Sequence, residues 1–220
     1  MTVIEFNFND DWMGEISRRL GDLNDKTPDV ISQATNSTAR KARKLIVQSL
    51  REHYAEDAKT KEYNAAMKIA RASRKKYDAT IYIRGKVQNL RRFNVSPKDP
   101  PASGNSRPPT TRAQVLLQGG LKELNKGGIK AFITTFKNGD VVVAQRNGSF
   151  YTYHRPTGGI DRHHEAIDKL WSISIPKMAE SQLDPKTVRG NMRDTIQAIL
   201  VEEIEKQIAR QLAKHGGNAG

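Results

Sequence analysis

The sequence predicts an α+β fold: N-terminal helices, a central antiparallel sheet with a long loop, and one long C-terminal helix. Three observations predict it. Apolar residues recur at helical spacing from residue 28 to 53, and Val188, Met192, Ile196, Ile199, Ile204, Ile208 and Leu212 recur every three to five residues near the end. Between them, two β-rich runs at 129–136 and 141–145 flank Lys137-Asn138-Gly139-Asp140, and Asn-Gly is hairpin turn chemistry. Lastly, Trp171, Ile173 and Ile175 alternate with Ser172 and Ser174, the pattern of a strand with one buried face. Pro176 removes a backbone donor and stops that strand. This Trp-bearing strand, feeding the last helix, is expected to specify the core and a partner surface.

In chain order, residues 1–9 alternate Ile4, Phe6 and Phe8 with polar residues, which reads as a short strand or as an arm that pairs with a neighbour. A short helix starts at Asp10 or Asp11, with Trp12, Ile16, Leu20 and Leu23 on one side. Thr27 is placed to cap the next helix, Pro28 to be its first residue, and Asp29 to meet its dipole. That helix runs to about His53 with Val30, Ile31, Ala34, Thr38, Ala42, Leu45, Ile46 and Ser49 as its buried stripe. A third helix is expected over residues 61–73, grouping Tyr63, Met67 and Ala70, with Arg71, Arg74, Lys75 and Lys76 at its C-terminal end, where the dipole favours cations.

Residues 80–84 read as a strand, Gly85-Lys86 as a turn, and 87–95 as a second extended piece. Five of the nine prolines fall within residues 96–109, so no regular element persists there. A loop of that length is functional or unstructured. Residues 113–117 form a further strand, and Gly119-Gly120 and Gly127-Gly128 mark sheet turns. Asp184 and Pro185 open the last helix, and the tail from His215 is too small and polar to pack. The expected organisation is an arm and short helix over 1–27, an α+β core over 28–183, and a helix with tail over 184–220.

Composition narrows the function. Only 36 % of the residues are apolar, so arms, linkers or assembly surfaces account for part of the chain. There is no cysteine, which excludes disulfides and thiolate metal sites. No apolar run reaches the roughly 20 residues that span a bilayer, and the first residues do not resemble a signal peptide. The formal net charge is +13 and unevenly spread: residues 38–92 hold sixteen basic and five acidic side chains, while residues 1–37 hold three basic and seven acidic. A concentrated basic block implies a polyanion or an acidic protein surface nearby.

Catalytic signatures are sparse. No glycine-rich phosphate loop and no dinucleotide fingerprint occur. His154, His163, His164 and Glu165 lie within a dozen residues, but their spacing matches no usual ligand set, and Arg155-Pro156 and Gly158-Gly159 mark an irregular loop. Glu202 and Glu203 lie beside Lys206 at ion-pair spacing on a helix. No serine nucleophile has a visible setting, no base-reading motif is present, and no cofactor is called for.

Three stretches resemble the minor tail protein Z family of long-tailed bacteriophages, within the broader group of tail-completion and neck proteins. They are the Arg/Ala-rich helix of residues 38–46, the strand pair Ala79-Thr80-Ile81-Tyr82-Ile83-Arg84-Gly85-Lys86 with Leu90-Arg91-Arg92-Phe93, and Leu170-Trp171-Ser172-Ile173-Ser174-Ile175-Pro176-Lys177-Met178 before the last helix. The resemblance covers roughly residues 28–213. Its last segment departs from a Gly-Pro-Ser form in many relatives, and the Pro-rich and His-rich loops are local elaborations.

The resemblance implies a non-enzymatic virion component at the head-proximal end of the tail, assembled in the host cytoplasm. Its partners would be the tail terminator, the tail tube and the head–tail connector, with copies forming a homo-oligomeric ring or collar near the phage DNA. Arg40, Lys41, Arg43, Lys44, Arg71, Arg74, Lys75 and Lys76 are the candidates for contact with DNA or an acidic partner. Trp171, Ile173, Ile175, Ile199, Ile204 and Ile208 are the candidates for a subunit interface. Segments 1–9 and 97–111 would reach neighbours. Two other classes compete: a non-specific DNA-binding protein, and a metal nuclease using His154, His163 or His164.

Overall fold

A computed structural model describes residues 1–6, 10–57, 60–101, 109–153, 162–183 and 191–216. The chain opens with strand β1 (Thr2–Phe6), helix α1 (Asp10–Leu20), a 3-10 turn, and helix α2 (Thr27–His53). Helix α3 (Thr60–Ala66) leads into β2 (Met67–Ala70), β3 (Ala79–Ile83), β4 (Val87–Asn89), β5 (Asn94–Ser96) and β6 (Arg112–Gln114). The short strands β7 (Lys122–Glu123), β8 (Asn125–Lys126) and β9 (Ile129–Lys130) come next. They are followed by β10 (Phe132–Thr135), β11 (Val141–Tyr153), β12 (Arg162–Lys169) and β13 (Trp171–Ser174). Helices α4 (Ile175–Leu183) and α5 (Asn191–Gly216) complete it, so the class is mixed α+β as expected.

Contacts divide the chain into two units. The first comprises Met1–Leu50, Lys59–Lys86 and Ser174–Gly220. Its centre is the stripe of α2. Val30, Ile31 and Ala34 pack with Ile16 and Leu20 of α1 and Leu200, Ile204 and Ile208 of α5, and Trp12, Met13, Leu23 and Tyr77 border that cluster. An antiparallel sheet of order β1-β3-β2 adds a second layer, with Ile81 and Ile83 of its central strand buried. β1 pairs Thr2 with Ile83 through to Phe6 with Ala79, so of the two readings of the N-terminal segment the strand is the one formed over residues 2–6. α4 packs in through Ile175, Met178, Ala179 and Leu183, and Ser49 of α2 donates to Gln182 Oε1 across 2.8 Å.

The second unit comprises Arg51–Ala58 and Val87–Ile173. Its main sheet has the order β10-β11-β12, with Ile133, Val142, Val143 and Ala144 buried. The Asn138-Gly139 turn joins β10 to β11, and Gly139 adopts φ +84° there, which favours glycine. Smaller pairings, β5-β6-β7, β8-β9 and β4-β13, surround it.

Several expectations need correction. The third helix stops at Ala66, and residues 67–70 are the edge strand β2. Buried Met67 and half-buried Ile69 alternate with exposed Lys68 and Ala70, and β2 satisfies the backbone groups along one side of β3. Arg71, Arg74, Lys75 and Lys76 therefore sit on a β-hairpin, not at a helix end. Thr27 is itself helical and its buried Oγ1 finds no partner among the described residues, so it is no side-chain cap. The stretch 113–117 shortens to β6 with a 3-10 turn at Leu117–Gly119.

The strand at 171–174 is real, but it pairs only with the three-residue β4, and Trp171 is 54 % exposed. The Lys169 ammonium lies over its ring, 4.6 Å from the centroid. Trp171 is therefore not a core residue, and the core of the first unit gathers around α2. The strand ends at Ser174, one residue before Ile175, and Pro176 lies in the first turn of α4, which periodicity had not revealed. His163 and His164 lie on β12, not in a loop. His215 belongs to α5 rather than to a tail. Asp184, Pro185, Val188, His154, Phe8 and residues 102–108 lie outside the described residues.

Candidate interaction surface

Asn36 on α2 fixes the geometry of the first unit's basic surface. Its Nδ2 donates to Ala72 O across 3.0 Å, and Ala72 N donates to its Oδ1 across 2.9 Å, so one side chain pairs with the backbone as a neighbouring strand would. Next to Ala72 the chain turns tightly. Ser73 N donates to Lys76 O at 2.6 Å, and Lys76 N returns to Ser73 O at 3.2 Å, leaving Arg74 and Lys75 at the tip. Arg74 Nε lies 2.9 Å from Asp29 Oδ1 at the start of α2.

These ties place an exposed cationic hairpin along α2. Arg71, Arg74, Lys75 and Lys76 are all exposed, as are Arg40 and Lys44, one and two helical turns beyond Asn36. Residues 59–86 carry nine basic side chains against Glu62 and Asp78. Much of this positive charge is not neutralised locally.

Two of the predicted cations are less exposed, and one of them ties two helices together. Lys41 Nζ lies 2.7 Å from Glu203 Oε1 and 3.5 Å from Glu202 Oε1 on α5. The hydrogen bond to Glu203 raises the Lys41 pKa above its ordinary value, against partial desolvation. Burial pushes the Glu203 carboxyl up, but hydrogen bonds from Lys41 and Ser37 and the charges of Lys41 and Lys206 outweigh it and hold the group below its ordinary value. Glu203 thus faces inward to α2 and takes its ion pair from Lys41 of that helix. Arg43 is half-buried, and its Nε has no hydrogen-bond partner among the described residues.

The predicted interface residues also divide. Ile175, Ile204 and Ile208 are buried inside the first unit and are core. Ile199 and Ile173 are half-buried, and Trp171 is exposed. Of the six, Trp171 offers the most surface to a neighbour.

The histidines do not converge. His163 and His164 are adjacent on a strand and point to opposite faces. His163 Nδ1 is 3.1 Å from Thr152 Oγ1, and His164 stacks on Tyr151 with centroids 5.7 Å apart. Among the described residues, no three His, Asp or Glu side chains are grouped to hold a metal ion.

The three stretches that carried the family resemblance lie in elements that build the core of each unit. Two of them meet directly: a Cβ on Gly85 would come within 3.3 Å of Pro176 Cδ. The family model described as prophage minor tail protein Z matches residues 15–215 of the 220. The chain belongs to the prophage minor tail protein Z family. No curated protein and no solved structure matches it. As a minor tail protein Z member it is a structural protein of the phage tail, a virion component that works among other tail components. No helix among its described residues is long and apolar enough to cross a membrane. Sequence reading found the cations of this minor tail protein but not the Asn36 latch that arrays them. A lone polar residue on a helix carries no signal of a partner 36 positions away.

Proposed function

We propose that this minor tail protein completes the head-proximal end of the tail and helps join tail to head, as one copy of a ring or collar around the DNA path. The observation that supports this reading is the exposed cationic surface of the first unit, built by Arg40 and Lys44 on α2 and by Arg71, Arg74, Lys75 and Lys76 on the β2–β3 hairpin. Its chemical complement is a polyanion, either DNA in the channel or an acidic neighbouring ring.

Charge reversal tests the reading. The variant Arg40→Glu/Lys44→Glu/Lys75→Glu/Lys76→Glu changes only exposed side chains, so folding is expected near wild type. Head attachment and infectivity are expected to fall by about tenfold or more, as expected when several phosphate or carboxylate contacts are lost together. Wild-type particle yield and infectivity from this variant would remove the proposal.

The same surface supports a second reading, non-specific DNA binding by the free protein. Purified protein would then shift duplex DNA without tails, with log affinity falling by about 0.9 per log unit of salt for each phosphate neutralised.

A further inference from the structure

The hairpin of the second unit extends beyond the sheet that supports it. β10 pairs with β11 only from Val141 to Ala144, whereas β11 continues to Tyr153. A register shift between Arg146 and Phe150 re-aims the strand, with Gly148 at φ +80° inside it. Beyond that bulge, β11 and β12 pair only with each other among the described residues. Phe150 is 70 % exposed and Tyr151 is 55 % exposed, on opposite faces of this ribbon. A two-stranded ribbon is marginal in water, and exposed aromatics on both faces, Tyr151 backed by the His164 ring, mark a docking element.

The first unit carries an open groove of about 710 Å³ beside β1. Residues 1–6 all line it, of both strand parities, so it follows the strand's edge rather than one face. Phe6, Leu183, Ile196 and Leu200 supply apolar wall, while Glu180 and Arg193 supply charge. β1 pairs with β3 alone among the described residues, so no described strand pairs along its outer edge. An open edge of this kind is a template for an added strand.

We infer that Phe150–Tyr153 of one copy adds to the β1 edge of the next copy, with the ribbon aromatics covering the groove. The lengths agree, since four ribbon residues meet a five-residue strand. Two aromatic side chains bury about 150–250 Å² each. That is about half of the roughly 800 Å² per partner that a stable interface needs, and the paired backbone and β12 supply more. Both halves of the match lie on this one chain, which makes a second copy the occupant. The contact is heterologous, ribbon to groove, so repetition gives a closed ring or an open filament. This deepens the ring reading above and rests on it.

The full chain has no cysteine, so introduced thiols are unique. Val3→Cys protein is mixed with Thr152→Cys protein, which keeps both aromatics, and treated with a short bismaleimide, with Val87→Cys, another exposed position, as the control. Cross-linked heterodimers are expected from the first pair and not from Val3→Cys with Val87→Cys. In parallel, sedimentation compares wild type with Phe150→Ser/Tyr151→Ser, whose fold is checked by circular dichroism. Wild type is expected to assemble, and the variant to need at least tenfold higher concentration. Rings that form equally well with the variant, and without a 3–152 cross-link, overturn this contact and leave the ring reading standing. A wild-type chain that stays monomeric both in solution and on purified tails overturns the ring reading and this contact together.

Discussion

Lys41 on α2 and Glu203 on α5 form an ion pair 2.7 Å long, with the Glu203 side chain only 2 % exposed. A lysine that local charge assigns to a polyanion surface is thus a tie between two helices of one unit. The pair is also where the most direct pH prediction lies.

The Glu203 pKa is held below its ordinary value of 4.5. Its stabilising contribution is therefore present above about pH 4.5 and is lost as pH falls through the lower, folded-state value. Glu203→Gln is expected to be less stable than wild type at neutral pH, with the gap closing in acid as the wild-type carboxylate protonates. Lys41, raised above 10.5, contributes below that pH and ceases to once pH passes its folded-state value. Denaturant titrations of both proteins across the acid range check this, and a gap independent of pH would contradict it. Lys41→Met should also destabilise more than Lys44→Met, because Lys44 is exposed.

Asn36→Ala removes both hydrogen bonds to Ala72 and leaves that backbone short of partners. A loss of about 1–3 kcal/mol is expected. Hydrogen exchange should locate it, with faster exchange at the Ala72 amide and at the hairpin tip than in the centre of α2.

Ile81 is fully buried in the central strand of the β1-β3-β2 sheet. Ile81→Ala is expected to cost about 2–5 kcal/mol. Val87→Ala, at an exposed site, should stay within about 0.5 kcal/mol of wild type. Equilibrium unfolding of the two variants separates the cases.

Gly148 has room for a methyl group, since nothing lies within 4 Å of an added Cβ, but its φ of +80° strains any L side chain. Gly148→Ala should cost about 1–3 kcal/mol locally. The expected signature is faster exchange at Phe150 to Thr152 with unchanged exchange in the buried run Val142–Ala144. Uniform loss of protection across β11 would instead show that the ribbon and its sheet open as one.

Trp171 lies exposed beneath Lys169, so Trp171→Ala is expected to leave thermal unfolding within a few degrees of wild type. An effect on tail assembly without an effect on stability would assign it to a subunit contact. Unchanged assembly would confine its role to the cation–π pair with Lys169.

The sequence by itself determined the elements whose signals are local. The apolar stripe of α2 repeats every turn, so its burial was legible from residues 30–50, although its packing on α1 and α5 was not. Asn138-Gly139 dictated its hairpin through backbone conformation alone. The family was legible for a related reason, since its recognisable stretches are short runs of consecutive residues. What only the tertiary structure decided depends on partners far away in sequence. Residues 67–70 are a strand because β3 offers an open edge, although Tyr63, Met67 and Ala70 share helical spacing. Trp171 is exposed on a two-stranded sheet, where Lys169 lies over its ring. Lys41 and Arg40 look alike in sequence, yet α5 presents a buried carboxylate to one and leaves the other in solvent. Periodicity records which face a side chain occupies, while packing decides what meets that face.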